Sequence, residues 1–274
     1  MELFDNVFNR IGVYDKFFFS IKAVLIYPTL DDLKEKNPTL FERWKYLSET
    51  KYNQKIVDVR PVPAIIGNEN DKLQLIQNNV YEEKAVYYPE FTRIAAITYA
   101  TLYLEDGKPK RYFKKITNED ECLVIATFLE ILQSLSTEGN NSSPKHFAPL
   151  CGYNLITYDI PLFIKRFLLY RDKFENNTLP LIIKNCLVSK PWEANVIDAV
   201  NVWKFNGIDH TPLMLIADHL GLKRTVELDS LQDISKEYWK LVKDTPDKAL
   251  DYLSLQSATQ TNIVIQLMNE LSQL

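Results

Sequence analysis

The sequence has little of what several common functional sites require. Its 274 residues include only 7 glycines, and these form no glycine-rich loop of the kind that cradles phosphate groups. The 3 cysteines, Cys122, Cys151 and Cys186, lie far apart without metal-ligand spacing, and the 3 histidines form no zinc motif. We therefore expect neither a phosphate-binding loop nor a zinc site, and we expect free thiols in a reducing compartment.

Long apolar runs and a strong charge of one sign are also missing. No apolar run reaches the roughly 18 residues of a membrane span, and the start of the chain lacks the basic and apolar regions of a signal peptide. We therefore expect a cytoplasmic protein that does not enter a membrane. The net charge of −4 does not indicate a polyanionic partner, although basic residues cluster at 108–115 and 165–173.

Periodicity in the first half of the chain predicts strands and a helical insertion. Residues 16–27 are the most strand-like stretch, and Glu105-Asp106-Gly107 is a hairpin signal between strand-like residues 94–104 and 111–116. The polar stretch 29–84 carries a helical patch. We interpret it as a mostly helical insertion that lies outside the sheet.

Helix signals dominate after the hairpin. A helix is predicted from Asn118 to Leu135, because Asn118 is a favourable N-cap and Glu121 follows three residues later, as in a capping box. A polar surface loop is predicted at 137–145. The remaining predicted elements are a helix after a turn at Gly152, a strand at 196–200, a helix from Thr211 that stops at Gly221, and a last helix after Pro246.

The polar residues of greatest interest lie between the apolar run that ends at Cys151 and the helix that follows Gly152. Asn154 and Asp159 occupy this strand-to-helix junction, and α/β sheets bind their ligands at the carboxyl ends of strands. Asn and Asp are also favoured as helix caps. A role limited to ending the strand and capping the helix is therefore the local alternative.

The junction carries a family resemblance. The pattern Asn154-x-x-x-Tyr158-Asp159 resembles the second exonuclease motif of family B DNA polymerase proofreading domains, and the surrounding line G-Y-N-L-I-T-Y-D-I-P-L-F is similar to stand-alone polymerase-B-like 3′-5′ exonucleases of bacteria. The resemblance covers roughly residues 15 to 270. It continues in Y-P-E-F-T-R-I at 88–94, in K-P-W-E at 190–193, in Ile197-Asp198 and in W-K-F at 203–205.

The resemblance implies a fold and a chemistry. The fold is the ribonuclease H-like one, a mixed five-stranded sheet flanked by helices, here as one domain of residues 1–274 that contains the insertion at 29–84. The chemistry uses two Mg²⁺ or Mn²⁺ ions held by four acidic residues. The family takes these from D-x-E on the first strand, from the Asp of the N-x-x-x-Y-D motif, and from Y-x-x-x-D on the last helix.

This sequence departs from the family at three of the four acidic positions. Ser20 and Lys22 stand at the D-x-E position, and Gln256 stands at the last position of Y-x-x-x-D. Only Asp159 remains as a candidate metal ligand, and the four positions together carry no net charge. Divalent ions need several negative ligands, so we expect no catalytic residues and no metal cofactor.

The leading interpretation is a catalytically inactive exonuclease-like protein in replication, repair or a phage-related process. It would bind single-stranded nucleic acid or a partner protein, with Tyr153, Asn154, Tyr158 and Lys22 lining a nucleic-acid site. One alternative is an active 3′-5′ exonuclease that uses Mg²⁺ or Mn²⁺ and an unorthodox ligand set. A further alternative is a structural partner subunit without affinity for nucleic acid.

A buried Asp159 without a metal would need another counter-charge. We expect the Lys22 ammonium to hydrogen-bond Asp159 directly, with Ser20 and Gln256 filling the remaining donor and acceptor sites. The alternative is that Lys22 extends to solvent and that Asp159 only caps its helix.

Overall fold

The computed structural model describes residues 13–14, 16–52, 69–137, 148–174, 178–188, 195–205, 207 and 210–273. The K-P-W-E motif and nearly all of the predicted loop at 137–145 lie outside these residues. The sheet has five strands in the order β3-β2-β1-β4-β5. They are β1 Phe17–Leu25, β2 Thr92–Glu105, β3 Lys108–Thr117, β4 Leu150–Gly152 and β5 Val196–Asp198.

The strands run in mixed directions. β4 is parallel to both β1 and β5, and β3 is antiparallel to β2. The prediction of an α/β fold with a mixed five-stranded sheet flanked by helices is therefore confirmed at that level. The helices are α1 Leu30–Lys36, α2 Pro38–Tyr52, α3 Glu69–Lys84, α4 Glu121–Thr137, α5 Ile160–Tyr170, α6 Leu181–Val188, α7 Ala199–Trp203, α8 Leu213–Leu220, α9 Leu231–Asp244 and α10 Pro246–Leu271.

The hairpin between β2 and β3 forms because its turn residues tolerate positive φ. Glu105 pairs with Lys108, which leaves a two-residue loop. In that loop Asp106 has φ 52° and Gly107 has φ 71°. Positive φ at both positions defines the type I′ turn, whose twist matches that of the two strands. The hairpin signal at 105–107 is thus confirmed. No helix in the described ranges has the length and apolar character to cross a membrane.

The chain divides into two compact units. One comprises Met1–Lys22, Ile94–Asp229 and Thr245–Leu274, and the other comprises Ala23–Arg93 and Ser230–Asp244. The predicted insertion at 29–84 lies within the second unit. The helices α1, α2 and α3 are the described elements of this insertion. The second unit is wider than the predicted insertion because it also contains α9 from late in the chain.

An aromatic core and several long-range hydrogen bonds hold the second unit together. The Trp44 ring meets the Tyr81 and Phe91 rings edge-on at centroid distances of 5.4 and 5.2 Å. α9 joins this unit because its Ser235 hydroxyl accepts the Leu25 N–H at 3.0 Å and its Trp239 indole donates to the Leu25 carbonyl at 3.0 Å. The Tyr81 hydroxyl donates to the Tyr27 carbonyl at 3.1 Å.

The capping box predicted at the start of α4 is wrong. Asp120, rather than Asn118, accepts a backbone N–H in the first turn of α4, from Cys122 at 2.8 Å. The Glu121 side chain is buried instead and accepts bonds from the Ile94 N–H at 2.6 Å and from the Arg166 guanidinium at 2.5 and 2.8 Å. The Tyr170 hydroxyl adds a fourth bond at 3.0 Å. Glu121 therefore joins β2, α4 and α5 rather than capping its own helix.

This buried pair generates a stability prediction. Arg166→Met leaves the Glu121 carboxylate buried without its cation, so we expect a loss of about 3–5 kcal/mol in the free energy of unfolding. Urea denaturation at neutral pH, analysed with a common slope, measures the change. Arg171→Met is the matched control, because Arg171 is exposed and its guanidinium lies 3.5 Å from the carboxylate of its exposed neighbour Asp172. Its expected change is below about 1 kcal/mol, and equal losses in the two variants would contradict the assignment.

Candidate functional site

The candidate site lies at the carboxyl edge shared by β1, β4 and β5. Because these three strands are parallel, their carboxyl ends meet at one edge of the sheet. The register sets Phe18 beside Cys151 and Gly152 beside Asp198. Ser20 and Lys22 therefore lie on β1, just beyond the point where the short strand β4 ends. Asn154 and Asp159 lie in the segment that follows β4 in the chain.

Gly152 is required where β4 ends. A Cβ atom at this position would lie 2.6 Å from the Phe19 carbonyl oxygen and 2.7 Å from a Leu155 methyl group. No other residue fits so close to the backbone of β1. The chain then turns through Asn154, whose φ of 63° is left-handed, a conformation that Asn tolerates better than most residues. This turn directs the following segment back across the sheet edge.

Asp198 holds that turn in place. Its carboxylate accepts the backbone N–H of Asn154 at 2.9 Å, of Ile156 at 3.0 Å and of Val200 at 3.2 Å. Burial raises the pKa of Asp198, and the three N–H groups oppose that rise. The oxygens of Asp198 thus cap α7 and fix the turn after β4, which leaves them committed to backbone groups.

Asp159 is delivered to β1 by a short π-helical turn over Leu155–Asp159. The Asn154 carbonyl closes the turn by accepting the N–H groups of Tyr158 and Asp159 at 2.9 and 3.2 Å. The Asp159 side chain makes no capping bond to α5. It accepts the Ile21 N–H at 3.2 Å and is 2% exposed. The helix-cap interpretation of Asp159 is therefore wrong, because the wide turn aims the carboxylate at β1.

Ser20 and Lys22 face the last helix, α10. The Ser20 hydroxyl donates to the Ser257 carbonyl at 2.9 Å and lies 2.9 and 3.1 Å from the hydroxyls of Ser257 and Thr261. The Lys22 ammonium donates to Gln260 Oε1 at 2.5 Å. All five side chains belong to a polar layer between β1 and α10. The expected proximity of the first strand and the last helix is thus seen in direct contacts.

The predicted direct pair of Lys22 and Asp159 is wrong, and so is its alternative. Lys22 is 4% exposed and therefore does not extend to solvent. Its hydrogen bond goes to Gln260, while the Asp159 oxygen bonds the β1 backbone. The two groups still interact through space. Burial lowers the pKa of Lys22 to about 8, against the Coulombic attraction of Asp159 and Asp229, and burial raises the pKa of Asp159 to about 8, against the attraction of Lys22.

Gln256 does not complete the Lys22–Asp159 pair, contrary to expectation. Its amide donates to Asp229 Oδ2 at 2.9 Å and to the Glu227 carbonyl at 3.0 Å, and its Oε1 accepts the Asp229 N–H at 3.1 Å. The Tyr252 hydroxyl also donates to Asp229, at 2.6 Å. Tyr252 and Gln256, which stand at the Tyr and Asp positions of Y-x-x-x-D, together hold the segment that precedes α9.

The residue that contacts Lys22 is Gln260, one turn further along α10, and sequence reasoning missed it. A signal was present, because S-x-x-S-x-x-x-T and Q-x-x-x-Q occur at helical spacing through residues 254–261, next to the apolar positions of the same helix. Such a stripe indicates a buried polar layer that needs partners. Asp229 lies in a loop without a comparable pattern.

The residues predicted to line a nucleic-acid site lie close together but differ in accessibility. Tyr153 is 7% exposed, and its hydroxyl donates to the Thr211 carbonyl. Asn154 and Tyr158 are half-buried. Asn154 Oδ1 lies 3.2 Å from the Thr157 hydroxyl and 3.3 Å from Nε2 of the exposed His210. The accessible part of this edge is therefore built around Asn154 and not around the Tyr153 ring.

Within the residues that the structure describes, no group of three or more His, Cys, Asp or Glu side chains is arranged to hold a metal ion. The acidic side chains nearest the site already have other partners. Asp198 accepts three N–H groups, and Asp229 accepts bonds from Tyr252 and Gln256.

Comparison of the chain with protein-family models, with curated proteins and with solved structures found no match in any of the three. Evidence about its function therefore comes from the side chains described above. Those side chains form a polar layer around one buried cation, with the carboxylates of Asp159 and Asp229 nearby and several neutral hydrogen-bonding groups.

The buried cation predicts a distinctive pH dependence for Lys22→Met. A raised carboxyl pKa makes stability fall as pH rises, up to the folded pKa of about 8. A lowered ammonium pKa makes stability recover as pH rises from about 8 to 10.5. The variant loses that recovery, and the Asp159 pKa rises further without its cation. Relative to the parent, we expect Lys22→Met to lose about 2 kcal/mol more at pH ~9 than at pH ~6.

Denaturant titrations at both pH values measure this difference. Lys248→Met is the matched control, because Lys248 is exposed on the same helix that contacts Lys22. Its effect should be small and equal at the two pH values. A Lys22→Met effect that does not change between them would contradict the lowered pKa of Lys22 and its coupling to Asp159.

Proposed function

We propose that this chain is a catalytically inactive relative of the polymerase-B-like 3′-5′ exonucleases, with a ribonuclease H-like fold, and that it binds single-stranded nucleic acid without cutting it. The strand arrangement supports the fold assignment. An antiparallel hairpin, β2–β3, is followed by the parallel set of β1, β4 and β5 in the order 3-2-1-4-5. Asp159 belongs to the motif that carries the resemblance. It contacts β1, as a residue of the exonuclease site would be expected to do.

The observation that carries the proposal is the buried Lys22 ammonium. It stands at the position of the second acid of D-x-E, is 4% exposed and is held by Gln260 at 2.5 Å. A fixed positive charge in this place repels a divalent cation, and it is already near Asp159 and Asp229. The hydrogen bond to Gln260 and the burial of the Lys22 side chain keep the cation inside the site, where a metal would have to lie.

The other side chains do not fit two metal ions either. Hard divalent ions require several carboxylate or carbonyl oxygens. Ser20 offers one hydroxyl that is already bonded to Ser257 and Thr261, and Gln256 is bonded to Asp229. A two-metal mechanism needs one ion to activate water and another to stabilise the leaving oxygen. This donor set supports neither role.

Binding of nucleic acid is supported by the accessible edge around Asn154. This residue offers an amide, and the exposed His210 lies beside it. Thr157 is exposed, and Tyr158 is half-buried on the same turn. Hydrogen-bonding groups and rings at the carboxyl ends of parallel strands are what an unpaired base and its sugar require. The lost catalysis and the retained edge together favour a binding protein.

The proposal predicts that the purified chain leaves DNA intact. A 5′-labelled single-stranded oligonucleotide incubated with Mg²⁺ or Mn²⁺ should give no ladder of 3′-shortened products on a denaturing gel, and a duplex substrate should behave alike. The physical reason is that the site lacks the charge needed to hold the ions.

Two variants make the nuclease assay decisive. If trimming appears and Asp159→Asn abolishes it while Asp218→Asn does not, the chain is an active exonuclease with an unorthodox ligand set. Asp218 is the control because it lies on the exposed surface of α8 and pairs with Arg224. Trimming that both variants retain indicates a contaminating nuclease, which repurification removes.

A further inference from the structure

The hairpin of β2 and β3 carries a basic surface that is not part of the candidate site at the carboxyl edge. Between Glu105 and Lys115 the chain has five basic residues and two acidic ones, although its net charge is −4. β3 is the terminal strand in the described sheet, so one side of the hairpin lies at the sheet edge. The basic residues are Lys108, Lys110, Arg111, Lys114 and Lys115.

Strand register places aromatic and basic side chains together on one side of this hairpin. Tyr99 pairs with Lys114, Thr101 with Tyr112, and Tyr103 with Lys110. Residues directly opposite each other in an antiparallel pair share a face of the sheet. We define the hairpin face as the surface formed by Tyr99, Thr101, Tyr103, Lys110, Tyr112 and Lys114.

The part of the hairpin face nearest the turn is exposed to solvent. Tyr99 is buried and stacks on Phe17 at a centroid distance of 5.4 Å, so the sheet core begins there. Beyond it, Tyr103 is 42% exposed and Tyr112 is 45% exposed. The Tyr99 and Tyr112 rings lie 6.0 Å apart, so the buried ring supports the exposed one.

Cations lie among these rings. The Lys114 ammonium is 5.6 Å from the centre of the Tyr112 ring. Lys110 stands opposite Tyr103, and its ammonium lies 3.4 Å from a Glu105 carboxylate oxygen. Both partners of that ion pair are more than half exposed, and pairs of this kind are worth little in water. Lys110 therefore remains able to contact another anion.

A protective role for the lysines explains only part of this arrangement. Lysine on an edge strand prevents pairing with the edge of another sheet. That role requires charge and favours polar neighbours, whereas here two large rings are exposed between the charges. Self-association through this face is also disfavoured, because it would bring the lysines of two copies together.

We infer that the hairpin face binds a single-stranded nucleic acid, with Tyr103 and Tyr112 stacking on bases and Lys110 and Lys114 contacting phosphates. Alternation of exposed rings and cations is what sequence-tolerant single-strand binders present. An anionic membrane would also attract the lysines, but Tyr103 and Tyr112 lie diagonally on adjacent strands, where their rings can stack on successive bases. The inference rests on the proposed function for the class of ligand, and it adds a surface distinct from the edge around Asn154.

Fluorescence anisotropy with a short labelled oligothymidylate at low salt tests this inference, with an oligouridylate of equal length reporting any preference for ribose. Tyr103→Ala with Tyr112→Ala should weaken binding at least tenfold, because each lost base stack contributes about a factor of ten. Lys110→Gln with Lys114→Gln should reduce the slope of log affinity against log salt by about 1.4, since each single-strand phosphate contact adds about 0.7.

The control variants separate this face from net charge and from the Asn154 edge. Lys223→Gln with Lys248→Gln removes the same charge from exposed positions elsewhere and should leave the salt slope nearly unchanged. Circular dichroism and thermal melting check that every variant is folded. Photocrosslinking of the parent chain with a 5-iodouracil oligonucleotide should label a peptide that contains Tyr103 or Tyr112, and this readout needs no variant.

The outcomes distinguish the inference from the proposed function. Binding that the hairpin variants retain and Asn154→Ala abolishes would overturn the inference and leave the proposed function standing. Hairpin-dependent binding together with metal-dependent trimming would support the inference and overturn the catalytic inactivity in the proposed function. No binding at tens of micromolar protein would overturn the inference and the nucleic-acid part of the function, in favour of a partner subunit. Cosedimentation with phosphatidylserine vesicles but no oligonucleotide binding would overturn the inference in favour of a lipid surface.

Discussion

Burial of the Lys22 ammonium is the constraint on which the candidate site depends. A cation removed from water needs acceptors and nearby negative charge. Gln260 supplies the acceptor, and Asp159 and Asp229 supply the charge from two other parts of the chain. β1, α10, the turn after β4 and the segment before α9 must therefore keep their relative positions for the cation to be tolerated. The same constraint explains why neutral hydrogen-bonding side chains such as Ser20, Ser257 and Thr261 fill the rest of the polar layer.

Much of the fold follows from local signals. The type I′ turn at Asp106-Gly107, the stop of α8 at Gly221 with φ 64°, and the start of α10 at Pro246 were each predictable, because one or two residues decide them. β1 was equally clear from its apolar and aromatic run. The described part of the insertion is helical, yet α9 was not predicted. Its membership of the second unit depends on Leu25, more than two hundred residues earlier, which donates its N–H to Ser235 and accepts the Trp239 indole N–H at its carbonyl.

The polar contacts were harder to predict, because each depends on geometry that no local pattern encodes. Glu121 looked like a capping residue, but Arg166 and Tyr170 come close enough to bury it. Asp159 looked like a partner of Lys22, but the π-helical turn directs its carboxylate to the Ile21 N–H. A single helical turn along α10 then decides whether Gln256 or Gln260 faces β1. Sequence reasoning placed the residues in the right neighbourhood and assigned several of them the wrong partners.

Charge distribution connects the candidate site with the proposed nucleic-acid surface. The net charge of −4 disfavours long-range attraction of nucleic acid, but salt limits that field to about 8–10 Å under ordinary conditions. Inside that range only the nearest charges act, and on the hairpin these are mostly lysines. Lys22 cannot take part, because it is buried and already bonded. A buried cation cannot contact a phosphate backbone, so the proposed binding requires exposed cations elsewhere, and the hairpin face has them beside two exposed rings.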